Sequence, residues 1–392
     1  MRSQNPRAAR LLDLIVDSLD IPRSYYEKAS ARHKSLGEWM CRRESRVAAF
    51  SPHVSLQGSF RYGTVNRPLL PTDRYDLDNL TTLKIAKTAI TQKQLKELYG
   101  SEVKAYAAAH NMIEPVEEKD RCWRLNYTDE VDFHLDTLPC LPEEEAVIQA
   151  IMARGVLAIL AAQAVAITDR RHPQYDQITR LLLSSNPGGF ATWFEEKARA
   201  AAASTMQRLV EARLYASVDA VPPYEWKTPL QRSIQILKRH RDVMFRRDPS
   251  EGPISMIITN LATHAYAGEG DLWSAVANIV DRMGEYVRPR APRVPNPADP
   301  AEDYADKWAK KPSLEANFWR WHTQVKADLG RLSSAIEQGA VANQVRSLFD
   351  IQLGRDALVA FEASAAVAPA IITRPAPTVS IPSAPRPWHD RT

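Results

Sequence analysis

Two aspartates two positions apart, Asp76 and Asp78, stand in the run Tyr75–Thr81, which reads as a strand. Side chains alternate between the two faces of a strand, so both carboxylates point the same way. Two like charges so close repel and are costly unless cations neutralise them. Ahead of the pair lies Gln57-Gly58-Ser59-Phe60-Arg61-Tyr62-Gly63-Thr64. His53–Gln57 is predicted to be a short strand, Gly58-Ser59 a turn, and Arg61–Thr72 an irregular loop carrying Pro68 and Pro71. Gly58 allows backbone N–H groups to approach an anion closely, and Ser59 adds a hydroxyl donor.

A donor-rich turn for phosphates followed by carboxylates fixed on one face is what phosphoryl transfer from a nucleoside triphosphate requires, with a pair of magnesium ions resolving the repulsion. A third carboxylate is expected on a neighbouring strand. The run Asp132-Phe133-His134-Leu135-Asp136 puts Asp132, His134 and Asp136 on one face. At ~3.3 Å per residue the two aspartates are about 13 Å apart, so only one can join the cluster. Asp136 precedes Leu138-Pro139, near the strand end where a site would open, and position favours it over Asp132. An Asp-x-Asp pair alone is more often a solvated strand face, and a lone Gly-Ser is commonplace. Turn, pair and third aspartate in this order are far more specific.

Composition sets few limits. With 392 residues the chain can form two lobes and a substantial core. Its 44% hydrophobic and 25% charged residues suit an ordinary globular protein, and a net charge of +4 does not call for nucleic acid as a constant partner. Cys41, Cys122 and Cys140 are too scattered for a disulfide framework or a zinc knuckle and fit a reducing compartment. The first twenty residues lack the apolar run of a signal peptide. Ala146–Thr168 is strongly apolar but holds Gln149, Arg154 and Gln163, and a central arginine is costly in a bilayer. A core helix running into a buried strand, Leu157–Ile167, is expected there, and a cytoplasmic protein.

Along the chain, Leu11, Leu12, Ile15 and Leu19 repeat at helical spacing, and a second helix is expected through Trp39 to about Ala49. Thr91 with Gln94 forms a capping box opening another helix. Arg121–Tyr127 and Val131–Leu138 read as a hairpin turning at Thr128-Asp129. Beyond residue 215 the pattern is helical. Thr228-Pro229 starts a helix with Leu230, Ile234 and Leu237 on its apolar stripe. Further helices are predicted at about 254–267, 271–286, 312–338 and 340–363. Five prolines make Val287–Pro300 an extended, semi-rigid connector. The reading is an α+β fold: N-terminal helices plus a mixed-sheet core over 1–215, a helical lobe over 216–365, and a proline-rich tail over 366–392 expected to be disordered.

These residues resemble the bacterial cGAS/DncV-like nucleotidyltransferases (CD-NTases), the signal synthases of CBASS anti-phage defence, over roughly residues 50–330. Gln57 to Thr64 with Asp76-Leu77-Asp78 is similar to the family's donor loop and metal pair. Phe133 to Pro139 is similar to its third-aspartate strand, which supports Asp136. Ser185-Asn186-Pro187-Gly188-Gly189-Phe190 with Trp193-Phe194, and Pro295-Asn296-Pro297 with Asp303 to Trp308, resemble further family segments. Pro229 to Asp242 resembles the long helix entering the second lobe, whose lysine contacts the donor triphosphate and corresponds to Lys238. Ser255 resembles a serine that also touches the phosphates. The cationic neighbours Arg239 and Arg241 add a physical reason for Lys238 to welcome an anion.

The resemblance implies a two-lobed, polymerase-β-like nucleotidyltransferase with an oligoadenylate-synthase-like helical lobe. Asp76, Asp78 and Asp136 would hold two Mg²⁺ ions (Mn²⁺ as substitute), and Gln57, Gly58, Ser59, Lys238 and Ser255 the nucleotide. ATP and GTP are the expected substrates, cyclic GMP-AMP the first candidate product, and a cyclic-nucleotide-activated effector the downstream partner. A monomer without membrane association is expected. Arg241, Arg246 and Arg247 read as a solvated basic surface, and no Cys/His cluster has the spacing of the zinc insertion of DNA-sensing relatives. Two alternatives remain: a linear oligonucleotide synthase or nucleotidyl transfer to RNA or protein, and a catalytically silent nucleotide-binding protein. Asn79, where an apolar residue would be expected, and Asn66 and Pro68 in the loop depart from the family pattern.

Overall fold

Alternating burial along the strand-forming runs assembles them around one central parallel pair. The computed structural model describes residues 6–70, 72–128, 132–199, 227–338 and 341–363. Seven strands form a mixed sheet: β1 (His53–Gln57), β2 (Tyr75–Thr82), β3 (Glu117–Glu118), β4 (Trp123–Tyr127), β5 (Phe133–Pro142), β6 (Val165–Ile167) and β7 (Leu183–Ser185). The order is β1-β2-β5-β4-β3, and the far end of β5 carries β6 and then β7. β2 and β5 run parallel and every other pairing is antiparallel.

One face of this sheet is a core. Tyr75 and Leu77, Phe133 and Leu135, and Trp123 and Leu125 pack against α2 (Arg23–Cys41) and α4 (Gln92–Ala109) through Tyr26, Leu36, Leu95, Tyr99 and Val103. Asn79 belongs to this face, which explains its departure from the apolar pattern: its Oδ1 lies 2.9 Å from Nδ1 of His33 on α2. A polar pair there replaces an apolar contact and fixes α2 against β2. The capping box of Thr91 and Gln94 is formed as the sequence predicts.

A second core is helical. α1 (Pro6–Leu19), α7 (Pro187–Arg199), α8 (Pro229–Met244), α9 (Ser255–Ala265), α10 (Leu272–Arg282), α11 (Pro312–Gln338), α12 (Val341–Phe349) and α13 (Arg355–Ala363) enclose it. α1 and α7 enter this core through Leu11, Leu12 and Ile15, and Phe190 and Phe194, so the chain's first helix packs on its helical lobe. The expected boundary at 215–216 and the tail over 366–392 lie outside the described residues, as does Asp129 of the expected hairpin turn.

Four readings change in detail. α2 stops at Cys41, because Arg42 leaves the helical region for an extended backbone at φ −64° and ψ 151°. The Leu157–Ile167 run is a short helix α6 (Ala158–Ala161) after α5 (Glu145–Met152), and only Val165–Ile167 pairs as a strand. An apolar run has no period to distinguish helix from strand, and just three residues reach the end of β5. The 340–363 helix is two, broken where Asp350 adopts φ +52°. The Val287–Pro300 connector runs into a hairpin, β8 (Pro295–Asn296) with β9 (Asp299–Asp303). Glu302 of β9 accepts from Ser185 Oγ (2.6 Å), Asn186 N–H (3.2 Å) and Asn296 Nδ2 (2.7 Å), stitching the sheet edge to the connector.

Candidate active site

Strand register lines up one row of side chains across five strands. Gln57 on β1 faces Asp78 on β2, Asp78 faces Asp136 on β5, Asp136 faces Arg124 on β4, and Arg124 faces Glu117 on β3. The adjacent row on the same face is Asp76, His134 and Asn126. The structure therefore brings Asp76, Asp78 and Asp136 together on the face opposite the sheet core. Asp132 is not among them: it precedes β5 and its carboxylate lies 3.9 Å from Arg74.

Electrostatics mark the row as unbalanced. Burial pushes the Asp78 carboxyl up to about 7, and the charges of Asp136 and Asp76 push the same way. Asp76 is raised too, by its protein surroundings first, with Arg124 opposing and Asp136 adding to the rise. Arg124 lays a two-pronged fork on Asp136, Nε to Oδ1 at 2.6 Å and Nη2 to Oδ2 at 2.8 Å. Burial, and then the Arg124 charge, lower the His134 pKa, and its Nδ1 lies 2.7 Å from Asn126 Oδ1. Among the described residues no three His, Cys, Asp or Glu side chains stand as a ready metal site, because Asp136 is turned into the guanidinium. The donor chemistry nevertheless fits magnesium: three carboxylates with hard oxygens, one of them reluctant to ionise without a cation.

The turn after β1 is tighter than a loop. Gly58–Tyr62 is a short helix, α3, opened by Gly58 at φ +65° and closed by Gly63 at φ +64°. A Cβ on Gly58 would lie 2.1 Å from Oδ2 of Asp78, so backbone and carboxylate meet there with no room for a side chain. α3 is held by both cores, since Phe60 packs into the sheet core and Tyr62 into the helical one against Phe190 and Phe194. Ser59 is half-buried beside Gly58, and its carbonyl accepts from Thr64 N–H at 2.9 Å. Gln57 is buried and donates from Nε2 to Ser55 Oγ at 3.0 Å.

Helix α8 closes the segment from above. Gln231 Nε2 donates to Tyr62 O (2.8 Å), Lys238 Nζ to Thr64 O (3.0 Å), Gln235 Nε2 to Val65 O (2.8 Å), and Arg239 to Arg67 O. Positions 231, 235, 238 and 239 form one helical face, opposite Leu230 and Leu237. Asn66 joins from its side, donating to Gln235 O at 2.9 Å. Gln235→Leu would strand the Val65 carbonyl and lose the bond to Asp20, and is expected to cost about 1–3 kcal/mol, measured as a lower denaturation midpoint.

Lys238 is buried, and its pKa falls to about 8, through burial first and the Arg241 charge second, while Asp242, Asp78 and Asp76 pull it upward. Burial thus outweighs the cationic neighbours that the sequence suggested, and Arg239 is engaged with Arg67. Ser255, at the start of α9, accepts from Arg241 at 3.2 Å. Arg241 also reaches Asp242 and Pro253 O, and Arg246 pairs with Asp350 at 3.2 Å, so much of the basic surface is internally paired.

Arg124 and the Gln231–Gln235 face are absent from the sequence reading. A hairpin turning at Thr128-Asp129 would have set Arg124 opposite Phe133, on the wrong face; the longer connection sets it opposite Asp136. The glutamines alternate with the apolar stripe of α8 at helical spacing, a signal that was legible but not specific.

Residues 52–139, from the start of β1 through most of β5, match the family described as "Cyclic GMP-AMP synthase DncV-like, nucleotidyltransferase domain". The chain is 25% identical over 309 residues to the c-di-GMP synthase of Roseivirga ehrenbergii, spanning 78% of this chain and 74% of that protein. Its fold is similar to Bradyrhizobium diazoefficiens CdnG solved with GTP, at TM-score 0.63 and 19% identity, covering 93% of this chain and all of that one. It is also similar to a Vibrio cholerae DncV mutant solved with ATP, GTP and 5MTHFGLU2, at TM-score 0.51 and 15% identity, covering 90% and 87%. The mixed sheet, the aspartate row and these matches define a nucleotidyltransferase of polymerase-β-like fold. More narrowly, residues 52–139 match a DncV-like nucleotidyltransferase domain, and the chain as a whole is similar to a c-di-GMP synthase and, in fold, to CD-NTases. No described helix is long and apolar enough to cross a membrane.

Proposed function

We propose that this enzyme joins ATP and GTP into a cyclic purine dinucleotide, cyclic GMP-AMP first among them, releasing pyrophosphate, as the signal of an anti-phage response in the cytoplasm that activates a downstream effector protein. The observation that carries this is the register of Asp78 beside Asp136, two residues beyond Asp76, with the Gly58 backbone pressed against Asp78. In this reading Asp76, Asp78 and Asp136 hold two magnesium ions. Cations bound there supply charge neutralisation of the triphosphate and a lowered pKa for the attacking ribose hydroxyl.

The protein's own groups do the positioning. Gly58 and Ser59 offer backbone and hydroxyl donors to the phosphates, and Gln57 sits behind them. Lys238 brings an ammonium from the helical lobe, and Ser255 a hydroxyl from α9. With its pKa near 8, Lys238 lies close to losing its charge, and an incoming polyanion favours the protonated form. Turning the linear intermediate and closing the ring in the same cleft would complete the product.

A specific observation favours a second product, cyclic di-GMP: the Roseivirga relative bears that name. One experiment separates them. The protein is incubated with each NTP singly and in pairs, and products are weighed before and after phosphatase. A phosphatase-resistant product with the mass of cyclic GMP-AMP, formed only when ATP and GTP are both present, is expected. Equal yield from GTP alone would shift the assignment to cyclic di-GMP, a phosphatase-sensitive product would make the enzyme a linear synthase, and no product from any mixture would sink the proposal.

A further inference from the structure

An arginine inside a carboxylate cluster meant for cations is their competitor. Both oxygens of Asp136 are taken by Arg124, at 2.6 and 2.8 Å, and Nη2 of the same guanidinium lies 4.0 Å from Oδ1 of Asp76. This fork is the strongest hydrogen-bond geometry open to a carboxylate, and it raises the Arg124 pKa further above its ordinary value. Asp78, the next carboxylate in the row, has no described basic side chain within ion-pair distance and carries the raised pKa. Arg124 thus neutralises one end of the row and leaves the other end short of positive charge.

Arg124 is also placed so that it can leave. Its backbone is fixed by pairing of β4 with both β5 and β3, while its side chain is 23% exposed and borders the open face. Glu117 faces it from β3, and the Glu117 carboxyl is engaged by Lys119 and by Asn126 at 2.8 Å. A long side chain on a rigid strand beside solvent can exchange partners without moving the sheet.

We propose that Arg124 is the resident counter-ion of the acidic row, occupying Asp136 while no divalent cation is bound and giving it up when one enters. Cation entry and loss of the Arg124–Asp136 pair are then one exchange, and the pair holds down the affinity of the nucleotide-free enzyme for divalent ions. This inference rests on the reading of Asp76, Asp78 and Asp136 as cation ligands. It differs from a purely structural role in sign. A residue that merely orients Asp136 weakens ion binding when removed, whereas a competitor strengthens it.

The test is a Mn²⁺ titration of the full-length protein without nucleotide, following the paramagnetic resonance signal of free Mn²⁺, for wild type, Arg124→Gln, Arg124→Lys and Asp78→Asn. Arg124→Gln is expected to bind Mn²⁺ about tenfold more tightly than wild type, or better, and to gain more in melting temperature on Mn²⁺ addition. Arg124→Lys, which keeps a charge but not the fork, should fall between them. Affinity in Arg124→Gln equal to or below that of wild type overturns the proposal and leaves the cation reading standing. Wild-type uptake no greater than that of Asp78→Asn overturns the cation reading itself. Should Arg124→Gln fail to melt cooperatively, Arg124→Lys decides, and binding no tighter than wild type counts against the competitor role.

Discussion

Asp78→Asn is expected to abolish product formation, by about 10³-fold or more, and at the same time to make the cation-free protein harder to unfold at pH 8. The two effects have one cause. The folded protein holds the Asp78 carboxyl near 7 against an ordinary value of 3.8, so the fold prefers it protonated. A group whose pKa is raised by folding contributes stability that is complete below about pH 4 and is lost as the pH climbs to about 7. Above that, the wild-type protein carries a buried charge that Asp136 and Asp76 repel. An amide of the same shape removes the charge. The gain should vanish near pH 4 and reach a melting-temperature rise of about 3–6 °C at pH 8, solvent at the cleft discounting the full shift. Melting in EDTA at the two pH values, beside an assay of product, checks both halves. A lower melting temperature for Asp78→Asn at pH 8 would contradict this account. Added Mg²⁺ should stabilise the wild type and leave the variant unmoved.

The ease with which the sequence yields Asp76 and Asp78 has the same root. Repulsion between like charges on one strand face is a local fact, visible in three residues. Asp136 was legible through strand position and resemblance, and parallel pairing of β2 with β5 set it opposite Asp78. Arg124 was not, because its place depends on how many residues the β4–β5 connection takes, and a shift of an odd number changes faces. Helices with a stripe and a cap, such as α4 and α8, came out as read, since capping boxes are contained within four residues. The apolar stretch before β6 did not, because burial on all sides erases the periodicity that separates helix from strand. The packing of α1 on the helical lobe was equally hidden: an amphipathic stripe tells which face is buried and not which partner buries it.

Gly58→Ala is expected to lower kcat/KM by about 10²-fold or more while costing only about 1–2 kcal/mol of stability. The stability term comes from the backbone: φ is +65° and a Cβ is strained in that region. The larger effect on catalysis comes from Asp78. The new methyl would lie 2.1 Å from its Oδ2 and 3.1 Å from its Cγ, so either the carboxylate rotates out of the row or α3 retreats from it. Either change separates the turn from the carboxylates, which on the proposed reading act on the triphosphate together. Gly63→Ala is the control, because its φ of +64° imposes the same strain. There the methyl meets Gln231 Nε2 at 2.6 Å, the far end of a flexible side chain that holds Tyr62 O and not a carboxylate of the row. Gly63→Ala should therefore lose as much stability as Gly58→Ala, or more, and keep most of its turnover. Melting curves and initial rates for the two variants give the comparison. Equal losses of kcat/KM would mean that strain at the ends of α3, and not the contact with Asp78, sets the catalytic cost.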